Sequence, residues 1–170
     1  GGNAEYWEPQ LSFFGESFQA VAWNMPGYGT SPPLTEMTFP ALAQALDRML
    51  DTYQTEQVHL VGHSMGGMVA TRFTSTYPET TTHVVMVNQI GLTDSRHGSA
   101  WTDPAAAYQS ALGTSYSSVL AGHMRYYPRG WKPEYLKWVK YQYGLTLSGH
   151  WPQMAKVRAA QRQILFEDPV

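Results

Sequence analysis

The chain of 170 residues contains no Cys. That excludes disulfides, thiolate metal sites and a Cys nucleophile, and leaves the compartment unspecified. We expect a cytoplasmic protein. Charge is also sparse: Asp, Glu, Lys and Arg make up 14 % of the chain, and the net charge is -2. Such a balance offers no electrostatic footprint for nucleic acid. No apolar run approaches the roughly 20 residues that a membrane span requires. An initiator Met is missing too: the chain starts Gly1-Gly2-Asn3 and ends Phe166-Glu167-Asp168-Pro169-Val170 without a polar tail. Both ends are therefore expected to be cut, and the lack of a signal peptide carries no weight. What is present, 43 % hydrophobic residues, suffices for a real core of one-domain size.

Basic residues are scarce in one place in particular. Residues 1–95 hold only Arg48 and Arg72, giving that stretch a net charge of -7, whereas residues 96–170 carry +5. Trp and Tyr crowd into the second stretch, from Trp101 to Trp151. The composition thus divides the chain into 1–95 and 96–170, with the boundary near residues 92–104.

Short apolar runs at 18–23, 57–61 and 83–87 read as buried strands. Between the first two, Asn24-Met-Pro-Gly-Tyr-Gly-Thr-Ser-Pro-Pro33 is punctuated as a loop. Phe39, Leu42, Ala43, Leu46, Leu50 and Tyr53 recur at helical spacing, with Thr38 as N-cap. A second helix is expected from about Met65 to Ser75, stopping before Tyr77-Pro78. Apolar strands separated by single helices argue for an α/β protein with a doubly wound, mostly parallel sheet. Ligands in such sheets bind beyond the C-terminal strand ends, here Asn24, Gly62 to Ser64, and Asn88-Gln89. From about Asp103 only helices are expected, at 104–112, 115–126, 133–143 and 151–166. Pro104, Pro133 and Pro152 stand where first turns begin.

One pentapeptide carries chemistry. Gly62-His63-Ser64-Met65-Gly66 is G-x-S-x-G, which chance supplies about 0.1 times in a chain of this composition. Its setting sharpens it, because an apolar strand ends just before it and a helix begins just after. A Ser at so sharp a turn is held in a strained backbone, with its hydroxyl raised above the sheet. Gly62 and Gly66 are expected to remove side chains that would collide, and Gly67 to let helix and strand approach. The Met65 N–H, at the positive end of the helix, is placed to donate to an oxyanion. A phosphate-binding turn would carry Lys or Arg, and none occurs before Arg72.

These segments, in this order, resemble the α/β-hydrolase fold enzymes that bear a cap. Val58 to Ala70 is similar to the family's nucleophile elbow. Asn24 to Ser31 resembles its D-x-P-G-x-G-x-S loop, with Asn24 in place of the Asp, and Gly1 to Gln10 the tail of its H-G-x-G-G stretch. The likeness covers residues 1 to about 92. It implies an α/β-hydrolase core over 1–95 and a helical cap over 96–170, ending before the strand that precedes the catalytic acid. It also implies a Ser–Asp–His triad with Ser64 as nucleophile, and an acid and a base that lie outside this chain.

Gly2, Asn3, His63, Asn88 and Gln89 would border the substrate. Asn88 and Gln89 also fit a plain turn, and Asn24 and Ser31 fit loop bracing. Within the chain, Asp94 is the alternative acid. His59, His63, His83, His97, His123 and His150 are the available imidazoles, each more simply a packing or surface residue. The expected activity is acyl transfer on an ester-like small molecule, with no metal or organic cofactor. Lactone, N-terminal peptide, thioester and C–C cleavage use the same elbow. A non-catalytic small-molecule binder or sensor on the same fold is the alternative. Nothing in the pattern specifies an oligomeric state.

Overall fold

The computed structural model describes residues 3–89 and 101–167. They form two compact units. One runs as far as Trp101 and includes the end of the last helix from Gln163; the other is Thr102–Arg162.

The first unit opens with a 3-10 turn, Ala4–Trp7, continued by helix α1, Glu8–Phe14. The apolar pattern does not announce this helix, since Phe13 and Phe14 are both exposed. Its signals are Pro9 in the first turn beside Glu8, whose charge suits the helix N-terminus. The expected strand at 18–23 is not formed. That segment has no regular secondary structure, and Phe18 and Val21 are 55 % and 45 % exposed. A strand exists through its hydrogen bonds to a neighbour, and no described backbone offers one here.

Helix α2, Phe39–Thr52, begins where Thr38 Oγ1 accepts the Ala41 N–H at 3.2 Å. Five residues of its periodic face, Phe39, Leu42, Ala43, Leu46 and Leu50, are buried as the spacing predicts; Tyr53, expected on the same face, follows the last helical residue as the C-cap and is 44 % exposed. Strand β1, Val58–His63, leads into helix α3, Met65–Thr76, and strand β2, Thr81–Val87, follows. β1 and β2 pair in parallel, Leu60 opposite Val84 and Val61 opposite Val85. The α/β class with a parallel sheet is thus observed, as a partial core.

Met68, Val69 and Phe73 of α3 pack with the α2 face in two clusters, and Trp23 touches both. Val58 and Leu60 join the second cluster, so α2 and α3 cover one sheet face. Ile164, near the end of the last helix, closes the first. The opposite sheet face is open: Val61, Val85 and Val87 are 45 %, 51 % and 44 % exposed. Strands expected to be buried on both faces are therefore buried on one.

The second unit is helical. It contains α4, Pro104–Leu112, and α5, Tyr116–Met124, followed by a 3-10 turn, Pro133–Tyr135, that runs into α6, Leu136–Thr146. α7, Trp151–Glu167, starts in this unit and ends in the first. Asp103 and Ser115 cap α4 and α5 with their side chains. Val139 is fully buried, and Trp151, Met154 and Ala155 pack against Tyr108, Ala111 and Leu145. Tyr127 and Tyr135 stack at 4.1 Å, with Trp131 edge-on to both. The aromatic crowding of the sequence is here largely packing.

Candidate active site

The parallel ladder continues one residue beyond β1, because the Ser64 N–H donates to the Val87 carbonyl at 3.0 Å. The chain then reverses into α3. Ser64 makes that reversal with φ 55° and ψ -122°, a region that an L-residue enters only under strain. It holds the N-cap position, where a Ser hydroxyl ordinarily accepts a helix N–H, yet its side chain makes no capping bond. Among the described residues no His, Asp or Glu hydrogen-bonds the Ser64 hydroxyl. Met65 is the first residue of α3, so its N–H has no carbonyl within the helix to bond.

The three glycines of the turn have different tasks. A Cβ at Gly62 would lie 2.5 Å from Gly67 Cα and 2.6 Å from both the Gly66 carbonyl oxygen and the Gly67 nitrogen. All three are backbone atoms that cannot yield, so the expected collision is real. At Gly66 nothing lies within 4 Å. The expectation that Gly66 removes a clashing side chain is corrected: the helix carries that position into open space. Gly67 makes room for Gln89, whose Cγ stands 2.9 Å from where its Cβ would be.

Gln89 Nε2 donates to Thr71 Oγ1 at 3.0 Å, and the Thr71 hydroxyl in turn reaches the Gly67 carbonyl at 3.0 Å. The second residue after β2 is thereby tied to the first turn of α3. Gln89 Oε1 is buried without a partner among the described residues. Thr71 was not singled out in the sequence. The only signal for it is its position seven residues after Ser64, two helical turns along the face that meets β2. Asn88 takes φ 47°, a left-handed turn residue that ends β2.

Asn3 is buried. Gly2, Asp94 and His97 lie outside the described residues. His63 is exposed on the open sheet face. Asn24 and Ser31 brace their loop, as expected. Asn24 Oδ1 accepts the Ala4 N–H at 2.8 Å, and Ser31 Oγ donates to the Asn24 carbonyl at 2.8 Å. Gly29, at φ 53°, leaves the space that the Asn24 carboxamide fills. His59 and His83 lie in the strands and contact each other. His83 is the third residue of β2 rather than its first. His123 belongs to the second unit and donates from Nε2 to Gln142 Oε1 at 2.7 Å; His150 is exposed there.

Residues 1–126 match the family described as alpha/beta hydrolase fold, nearly three quarters of the chain. The chain belongs to the α/β-hydrolase fold family. A protein of Variovorax paradoxus named as a carbamate hydrolase, RutD, is 29 % identical over 162 residues, which is 94 % of this chain and 60 % of that protein. The crystal structure of a protein described as a hydrolytic enzyme of Pseudomonas aeruginosa PAO1 superposes with a TM-score of 0.86. That pair is 27 % identical, over 99 % of this chain and 56 % of the other. An esterase of Exiguobacterium antarcticum superposes at 0.74 with 16 % identity, over 99 % of this chain and 63 % of the other, and so shares the fold. The first three curated relatives are matched over 35 %, 29 % and 60 % of their own lengths. Of those three curated relatives two are named as carbamate hydrolases and one as an acetyltransferase component. No described helix is long and apolar enough to cross a membrane.

Proposed function

We propose that this α/β-hydrolase is a serine hydrolase of ester-like small molecules, with Ser64 as nucleophile. The observation that carries the reading is the Ser64 backbone, at φ 55° between a parallel strand and a helix N-terminus. This conformation turns the hydroxyl away from the capping bond it would otherwise make, so Oγ is available for attack on a carbonyl. As the tetrahedral oxyanion forms, the Met65 N–H donates to it, and the α3 dipole favours the same charge. Gly2 or Asn3 would border the oxyanion, and His63, Asn88 and Gln89 the acyl group. A base outside residues 1–170, oriented by an acidic side chain also outside them, would take the Ser64 proton and deliver it to the leaving group; water would then hydrolyse the acyl-enzyme. A carbamate is an ester-like carbonyl, and the likeness to a protein named as a carbamate hydrolase supports trying that bond alongside carboxylic esters. Residues 1–95 would supply the core and 96–170 the cap.

Fluorophosphonate labelling tests the nucleophile. In the whole protein we expect one labelled site, abolished by Ser64→Ala. Absence of labelling overturns the serine-hydrolase reading. The 170-residue chain alone is expected to label no faster than Ser64→Ala. Labelling of that chain overturns the placement of acid and base outside it.

A further inference from the structure

The register of the sheet sets His59 opposite His83, and an irregularity between Val58 and His59 leaves Thr82 as an extra residue on β2. A bulge of this kind re-aims side chains. Strict alternation would send Thr82 to the other face, but here it meets His59. His59 Nδ1 lies 3.1 Å from His83 Nδ1 and 2.6 Å from Thr82 Oγ1. The Thr82 hydroxyl owns one proton and gives it to the Val58 carbonyl at 2.9 Å. Its oxygen also stands within hydrogen-bond distance of His59 Nδ1, which donates or accepts according to the ring tautomer.

We propose that His59 and His83 form a two-histidine chelate for a divalent transition metal of the zinc, copper or nickel class. Two imidazole nitrogens bound at about 2.05 Å to one ion stand 3.1 Å apart when the angle at the metal is about 98°, between the square-planar and tetrahedral values. The observed separation requires no rearrangement of the strands. Imidazole is the side chain best suited to these ions. Both residues are exposed, so an ion has an entry path and water completes its shell. Among the described residues no three His, Cys, Asp or Glu gather, so the site is open rather than a closed structural one. Binding takes the lone pairs of both Nδ1 atoms, so each neutral ring then carries its single proton on Nε2, and the contact between His59 Nδ1 and Thr82 Oγ1 is given up. The pair sits five residues before Ser64, roughly 16 Å along the strand direction, and is distinct from the candidate active site.

Calorimetric titration of the 170-residue chain with zinc chloride and with copper(II) chloride tests this. One ion per chain is expected. His59→Asn and His83→Asn should each weaken binding at least about tenfold, and His150→Asn should leave it unchanged. The electron paramagnetic resonance spectrum of copper(II) on the unsubstituted chain should show coupling to two imidazole nitrogens, a readout that does not depend on a variant folding. Equal affinity in His59→Asn and the parent chain overturns the proposal, as does a copper(II) spectrum without two-nitrogen coupling.

Discussion

Ser64 occupies backbone space that glycine enters freely and serine does not, at φ 55° and ψ -122°. Strain of this kind is worth about 1–3 kcal/mol, and a Gly costs ~0.5–1 kcal/mol in unfolded-chain entropy. Ser64→Gly is therefore expected to stabilise the chain by about 1 kcal/mol, measured by urea unfolding, while removing the nucleophile. Unchanged or lower stability would show that the turn stores no strain. The neighbouring glycines give a second contrast. Gly62→Ala drives a Cβ into rigid backbone at 2.5 Å and should cost about 1–3 kcal/mol or more. Gly66→Ala meets nothing within 4 Å and should stabilise α3 by ~0.5–1 kcal/mol, because alanine loses less entropy in a helix. The sequence shows a symmetric G-x-S-x-G; the two glycines differ because one faces the returning helix and the other faces outward.

At the scale of elements, α2 shows how far local signals reach. Its apolar period and its Thr38 cap agree, and helix, cap and the buried face from Phe39 to Leu50 match that reading, while Tyr53 falls past the helix end and is exposed. Thr38→Ala removes the acceptor of the Ala41 N–H and should lower stability by about 1 kcal/mol in thermal or urea unfolding. The segment at 18–23 has an equally apolar pattern and forms no strand. Apolar pattern states a wish to be buried, while a strand also needs a hydrogen-bonding neighbour. α1 is the converse, a helix with exposed Phe13 and Phe14 in which capping chemistry and not periodicity is the guide.

At the scale of the whole chain, the open sheet face dominates. Val61 lies opposite Val85 and His63 opposite Val87, with the three valines about half exposed. Apolar surface of this kind drives association. Sedimentation velocity of the 170-residue chain is expected to show concentration-dependent self-association. Val61→Thr with Val85→Thr should weaken it about tenfold, since both remove apolar area and add a hydroxyl. A monomer at all concentrations would show that this face is covered in solution.

The sequence by itself determined the parallel α/β class, the helices α2 and α3 with the apolar face of α2, and the position of Ser64 at a strand-to-helix turn. Those follow from periodicity, caps and glycine spacing, which are properties of neighbours along the chain. Only the tertiary structure decided that Gly67 makes room for Gln89, that Gln89 and Thr71 clamp the first turn of α3, and that Thr82 and His83 meet beside His59. These contacts join residues 18 to 24 positions apart. They depend on strand register and on one bulge, and a shift of a single residue in pairing would turn Thr82 and His83 to the other face.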